Sequence, residues 1–267
     1  MYRYEGQVVH QRLDDEGIME VVDCQGVRAL HFGSAARQSS LLLADPDRLH
    51  SLYARTMMAG LLFNEQPRDV LMIGLGGGTM AKFMLHRFEH CKLRVVEFRS
   101  GVVSIARSHF GLPLHPRLKI KIGCGAKHVR QYSLNHSQCH DVVMIDAYGQ
   151  NGMAPEVSSL AFFDACRILL ADDGLLIINL WTTDKPLLQQ VSWNLNRVFE
   201  SRLLLLPVRN RGNVIGFAFG AKFGKPTLKT LMDRAQRLEQ QLDIEFPLYL
   251  YDLKRNNPNT FNRIIKT

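Results

Sequence analysis

Val70-Leu71-Met72-Ile73-Gly74-Leu75-Gly76-Gly77-Gly78-Thr79 decides the fold of this chain: an apolar run of strand length passes straight into a glycine-dense turn and then a helical pattern. Glycines at such a turn let a ligand approach the backbone closely, and the free N–H groups of a helix start face it. Outward from there, β-type runs recur at 93–96, 118–122, 142–145 and 175–180, with helical segments between them. Largely apolar strands alternating with helices indicate a parallel sheet covered on both faces. Leu118 to Ile122 alternates with lysines and is expected nearer an edge. Two further runs, 203–208 and 214–219, flank a turn containing Gly212 and predict a closing antiparallel hairpin. The expected core is a doubly wound α/β sheet.

Before Val70 the texture differs. Turn signals at Gly6, Asp14 to Gly17, Gly26 and Gly33 separate short apolar runs, the pattern of small antiparallel strands. Asp45-Pro46-Asp47 predicts a helix start, with Leu49, Leu52, Tyr53, Met57, Leu61 and Leu62 at helical spacing up to Pro67. Thr227 to Asp243 reads as an amphipathic helix. We expect a small N-terminal antiparallel β domain with its linking helix at 1–60, and a Rossmann-like nucleoside-binding catalytic domain at 61–267.

Composition excludes several classes. In 267 residues, 46% hydrophobic and 22% charged is the balance of an ordinary globular protein, neither disordered nor fibrous. No apolar run approaches the roughly 18 to 20 residues that cross a bilayer, and Met1 to Gly6 holds no signal-peptide core, so a cytoplasmic protein without a membrane partner is expected. The five cysteines lack metal or disulfide spacing, and His86 and His90 lack further ligands nearby, so no metal is expected. The formal charge of +8 is dispersed, Arg209 to Arg211 being its densest short cluster, and a nucleic-acid partner is not expected.

Three sites past strand ends carry the chemistry. Glu97 closes the second parallel run, 23 positions after Gly74, where a carboxylate can accept hydrogen bonds from both hydroxyls of a ribose. That pair suits a nicotinamide dinucleotide as well as S-adenosylmethionine. The plainer alternative is a glycine turn that only packs helix on strand, with Glu97 capping the next helix. A second site is Ile122-Gly123-Cys124-Gly125-Ala126. The third is Asp146, at the end of the central run, aimed into the crevice of an open α/β sheet and a candidate base or amine anchor; a turn-forming Asp is its bland alternative. Trp181, after the last parallel run, could stack on a substrate or fill a core or lid.

Gln38-Ser39, Asp45 to Leu49, Tyr53, Val70 to Gly78, Val95-Val96-Glu97, His109 to Pro113, Ile122 to Ala126, Asp141 to Ala147 and Asp173 to Leu176 follow one order. That order resembles the spermidine synthase family of polyamine aminopropyltransferases, above all its short bacterial relatives, over most of residues 30–185. The resemblance implies the class I S-adenosylmethionine-dependent methyltransferase fold: a seven-stranded, mostly parallel sheet with a C-terminal hairpin, plus a small N-terminal β domain used in a homo-dimer or higher homo-oligomer. It implies S-adenosylmethionine or its decarboxylated form as co-substrate. Gln38, Gly74, Gly76, Gly77, Gly78, Glu97, Cys124, Gly125 and Ala126 would bind it, Tyr53 and Tyr148 would meet the small-molecule substrate, and Asp146 would be catalytic.

Four positions depart from the family. Gly77 and Cys124 stand where the family has aspartates for the aminopropyl ammonium and the adenine amino group. Gly149, in Asp146-Ala147-Tyr148-Gly149-Gln150, stands where it has a second, amine-gripping Asp. Tyr53-Ala54-Arg55 puts a cation where an acid is expected, which speaks against a diamine because like charges in a partly buried pocket repel. Three functions compete: aminopropyl transfer with altered amine recognition, methyl transfer to a non-polyamine acceptor, an anionic one being of the kind the net charge and Arg55 suit, and a nucleoside-binding homologue without catalysis. A nicotinamide dehydrogenase is disfavoured because the strands end in a hairpin, not a second mononucleotide half.

Overall fold

The protein is described by a computed structural model over residues 4–149 and 152–266; Gln150 and the first three residues, on which expectations above touch, lie outside the described residues. Four strands, β1 (Gln7–Asp14), β2 (Gly17–Cys24), β3 (Val27–His31) and β4 (Arg37–Leu42), form an antiparallel sheet in sequential order. The fourth was not foreseen, because Arg37-Gln38-Ser39-Ser40 carries no apolar alternation; its Ser39 and Ser40 are nevertheless buried. α1 (Leu52–Met57) begins at Ser51 and continues as a 3-10 turn, Met58–Leu62. The start expected at Asp45 is corrected: the Asp47 carboxylate is drawn off to the Lys82 ammonium at 3.3 Å.

The main sheet follows. In chain order come β5 (Asp69–Ile73), α2 (Thr79–Arg87), β6 (Lys92–Glu97), α3 (Ser100–Phe110), β7 (Leu118–Ile122), α4 (Gly125–Ser133), β8 (His140–Ile145), a short hairpin of β9 (Tyr148–Gly149) and β10 (Gly152–Met153), α5 (Leu160–Leu169), β11 (Leu170–Trp181) and α6 (Lys185–Val198). After them β12 (Leu203–Pro207) and β13 (Asn213–Phe219) make the closing hairpin, then α7 (Leu228–Leu242), α8 (Phe246–Asn256) and α9 (Phe261–Ile264). Seven strands hydrogen-bond in the order β12-β13-β11-β8-β5-β6-β7, the first two pairings antiparallel and the rest parallel, so that β13 alone of the seven is reversed. Lysine-bearing β7 is the outer parallel strand, where exposed Lys119 and Lys121 discourage further pairing.

Burial explains the continuous apolar strands. Along β5, Val70 and Met72 enter a core shared with α1, α2, α3 and the C-terminal helices, while Leu71 and Ile73 enter a second core with α4, α5 and α6. Both faces of β5 are covered, so both positions of its pleat are apolar. Helix starts are fixed locally: Ser159, Asp184 and Thr227 each accept an N–H from three residues on. Among the described residues, no helix is long and apolar enough to cross a membrane.

Candidate functional site

The carboxyl ends of β5, β6, β7 and β8 meet at one crevice. Gly74, φ +95°, turns the chain out of β5 against the Asp146 carbonyl, where any Cβ would collide. That close approach opens a cavity of about 610 Å³. Of the residues singled out in the sequence, Gln38, Gly74, Gly76, Glu97, Cys124, Gly125, Asp146 and Tyr148 line it. Gly77, Gly78, Ala126 and Tyr53 stand behind the wall. Ala126 is buried in the second core, and Gly78 caps α2 against Leu112. A Cβ on Gly77 would lie 2.7 Å from Phe110 Cδ1 and 2.8 Å from Ser39 Oγ, so the seat of the missing aspartate is filled.

Glu97 faces the cavity from the end of β6. One carboxylate oxygen accepts from the Leu75 N–H at 2.8 Å and the other from the Arg99 N–H at 2.9 Å. Burial raises its pKa, and those backbone donors oppose the rise. It therefore braces the turn before α3 while its remaining lone pairs lie on the cavity wall. Cys124 takes the first position before α4 with its thiol on the cavity wall.

Asp146 sits on the floor between the parallel strands and the hairpin. Burial raises its pKa; the Asn179 amide, donating at 2.9 Å, and Tyr53 pull the other way. The Tyr53 hydroxyl donates to the Gln38 carbonyl at 2.9 Å and also faces this carboxylate, so it braces the floor from behind. Tyr148 donates to the Asn179 carbonyl at 2.8 Å, and its ring tilts against Trp181 with centroids 5.8 Å apart. These two aromatics also border a second cavity of about 250 Å³, which shares Gln38, Tyr148, Gly149, Gly152 and Met153 with the first. Asp184 is the charged side chain on its wall among the described residues.

The charge expected from Arg55 is absent from both walls. Its guanidinium turns the opposite way, onto the Glu245 carboxylate at 2.7 Å and the Leu49 and Asp243 carbonyls. The expectation of a cation in the substrate pocket is corrected, because the helix that carries Tyr53 inward points Arg55 toward α8. Sequence reading also missed Arg99, Glu16, Glu156 and Asn179. Arg99 is held by Asp14 at 2.6 Å and lies over the Phe32 ring, clipping the small sheet onto the crevice. Glu16, Glu97, Asp146 and Glu156 thus line the larger cavity with one arginine that is already paired. An Asn inside the apolar run 175–180 was the one signal open to sequence reading.

Known proteins share this architecture. The chain is 33% identical over 235 residues to the polyamine aminopropyltransferase of Neisseria meningitidis serogroup A, covering 87% of this chain and 88% of that one. The structure of spermidine synthase from Thermotoga maritima superposes with a TM-score of 0.69 at 18% identity, covering 92% of this chain and 83% of that one. Human methyltransferase-like protein 13, solved in complex with SAH, gives a TM-score of 0.67 at 25% identity, covering 73% of this chain and 93% of that one. With residues 51–219 matching the spermine/spermidine synthase domain as well, the chain belongs to the spermine/spermidine synthase family.

Proposed function

We propose that the protein transfers an aminopropyl group from decarboxylated S-adenosylmethionine to the nitrogen of an aliphatic diamine. The observation that carries this reading is the charge of the crevice: carboxylates from Glu16, Glu97, Asp146 and Glu156 line it, and Arg55 is withdrawn to Glu245. Such a wall favours a sulfonium and an ammonium over an anion. Glu97 takes the ribose hydroxyls, while Gly74 and Gly76 leave room for the nucleoside. A neutral amine nitrogen attacks the aminopropyl carbon beside the sulfonium. A C–N bond forms as the C–S bond breaks, its electron pair returns to sulfur, and neutral methylthioadenosine leaves. The new ammonium gives its extra proton to Asp146, whose partly buried, desolvated carboxylate is a stronger base than a solvated one.

The adjoining cavity holds the rest of the acceptor. Apolar Tyr148, Met153, Leu180 and Trp181 suit a methylene chain, and Asp184 suits its distal ammonium in place of the family's acid at Gly149. The exposed Val8, Val9 and Leu13 of β1 support a homo-oligomer built through the small sheet.

One observation favours methyl transfer as the second reading. Phe110 and Ser39 close the seat at Gly77, so no acid there selects the decarboxylated ligand. Thermal stabilisation by S-adenosylmethionine, its decarboxylated form and methylthioadenosine separates the readings, because a ligand of the native state raises apparent stability by mass action. Preference for the decarboxylated form, with turnover on an aliphatic diamine and a KM for it raised by Asp184→Asn, is the expected result. Preference for the intact form would establish methyl transfer. No shift with any of the three would leave a protein without nucleoside chemistry.

A further inference from the structure

An asparagine in the middle of an apolar strand is costly unless both ends of its amide are used. Asn179, 2% exposed in β11, uses both. Its Nδ2 donates to Asp146 Oδ1 at 2.9 Å, and its Oδ1 accepts from Asn213 Nδ2 at 3.0 Å. Asn213 opens β13 opposite Trp181, so strand register carries its amide to Asn179.

The two bonds are chemically linked. An ionised carboxylate only accepts, so Asn179 must turn its NH2 toward Asp146, which leaves its oxygen needing a donor on the far side. Asn213 is that donor. In the reverse orientation the Asn179 oxygen would meet the carboxylate, an arrangement that is stable only when Asp146 carries a proton. The groups facing Asp146 from other elements are the hydroxyl of Tyr53 on α1 and Tyr148 on β9, both kept neutral because burial raises their pKa; the β5 turn offers only the backbone of Gly74. Burial raises its pKa, and the Asn179 amide and the Tyr53 hydroxyl oppose that rise.

We propose that Asn213 and Asn179 form a two-amide relay that orients Asp146 and holds it in its proton-accepting form, making both positioning residues for the transfer step. The inference rests on the role of Asp146 given under the proposed function. Its test uses Asn213→Leu, which removes the donor without adding charge, and Asn213→Asp, which offers only acceptors at the same size. The side-chain carboxyl 13C resonance of Asp146 is titrated in the full chain saturated with methylthioadenosine, and the acid limb of kcat/KM for decarboxylated S-adenosylmethionine and a diamine is followed beside it. Both variants should bind methylthioadenosine as the parent does, while the Asp146 titration moves upward by roughly one pH unit in the leucine variant and further in the aspartate variant. The acid limb should move with it. A titration that stays in place in the leucine variant overturns the relay even if the aspartate variant shifts, because the charge added there raises Asp146 by repulsion alone. Shifts in the variants, with no transfer by the parent protein, would instead sink the transfer reading, leaving the relay's control of Asp146 ionisation upheld.

Discussion

Glu97 is a buried and Asp146 a partly buried carboxylate, both with raised pKa values, yet they are held differently and predict different mutant behaviour. Glu97 spends an oxygen on each of two backbone N–H groups, so its deletion loosens the turn and removes the proposed ribose acceptor together. Glu97→Ala should abolish binding of methylthioadenosine, measured by calorimetry; normal binding would refute the ribose assignment. Asp146 is supported by side chains, and Asp146→Asn should leave that binding intact while removing turnover. The same change should raise the Tm at pH 7. The sign follows from linkage: a carboxyl whose folded pKa lies above its unfolded value near 3.8 costs no stability below that value, and the cost grows as pH rises until the folded group has ionised. The gain from Asp146→Asn should therefore be larger at pH 7 than near pH 4, as scanning calorimetry at the two values would reveal.

At the scale of elements, the glycine loop shows how a familiar turn can lose one of its functions. Gly74 makes a close approach to Asp146, but Phe110 at the end of α3 and Ser39 in β4 occupy the space beside Gly77. Restoring the family's aspartate by Gly77→Asp should destabilise the fold by about 1–3 kcal/mol through overpacking, and it should not increase the preference for decarboxylated ligand. Thermal denaturation with and without that ligand checks both. α1 teaches the complementary lesson. Tyr53 and Arg55 are two positions apart and so leave the helix on different sides, one beside Asp146 and the other onto Glu245 of the segment before α8. A motif aligned residue by residue could not reveal that the cation belongs to the C-terminal packing.

Across the whole molecule, ion pairs tie distant segments to the sheet. Hydrogen bonding by Arg99 lowers the pKa of Asp14, and by Arg28 that of Asp23; burial works upward on Asp69 and Glu245, but His140 with Arg94, and Arg55, hold them below their ordinary values. Groups with depressed folded pKa values contribute stability that is present above the unfolded values of 3.8 and 4.5, and lost as pH falls through the folded ones. Acid unfolding should accordingly set in below about pH 4. In the same range Asp14 releases Arg99, so the small sheet should detach from the crevice before the parallel sheet melts. Hydrogen exchange resolved by segment would show β1 and β2 losing protection first; simultaneous loss everywhere would contradict this order.

Local patterns determined a great deal by themselves. The apolar run into glycines at 70–79, the lysine alternation of the edge strand, the closing hairpin and the acid that ends the second parallel strand were legible because each depends on residues adjacent in the chain. Family membership was legible for the same reason, as an order of short motifs. Only the tertiary structure decided that Arg55 leaves the pocket, that Phe110 and Ser39 close the seat at Gly77, and that Asn213 reaches Asp146 through Asn179. Those contacts join residues far apart in sequence, and their geometry comes from strand register and the packing of helices on the sheet, neither of which is written in any one segment.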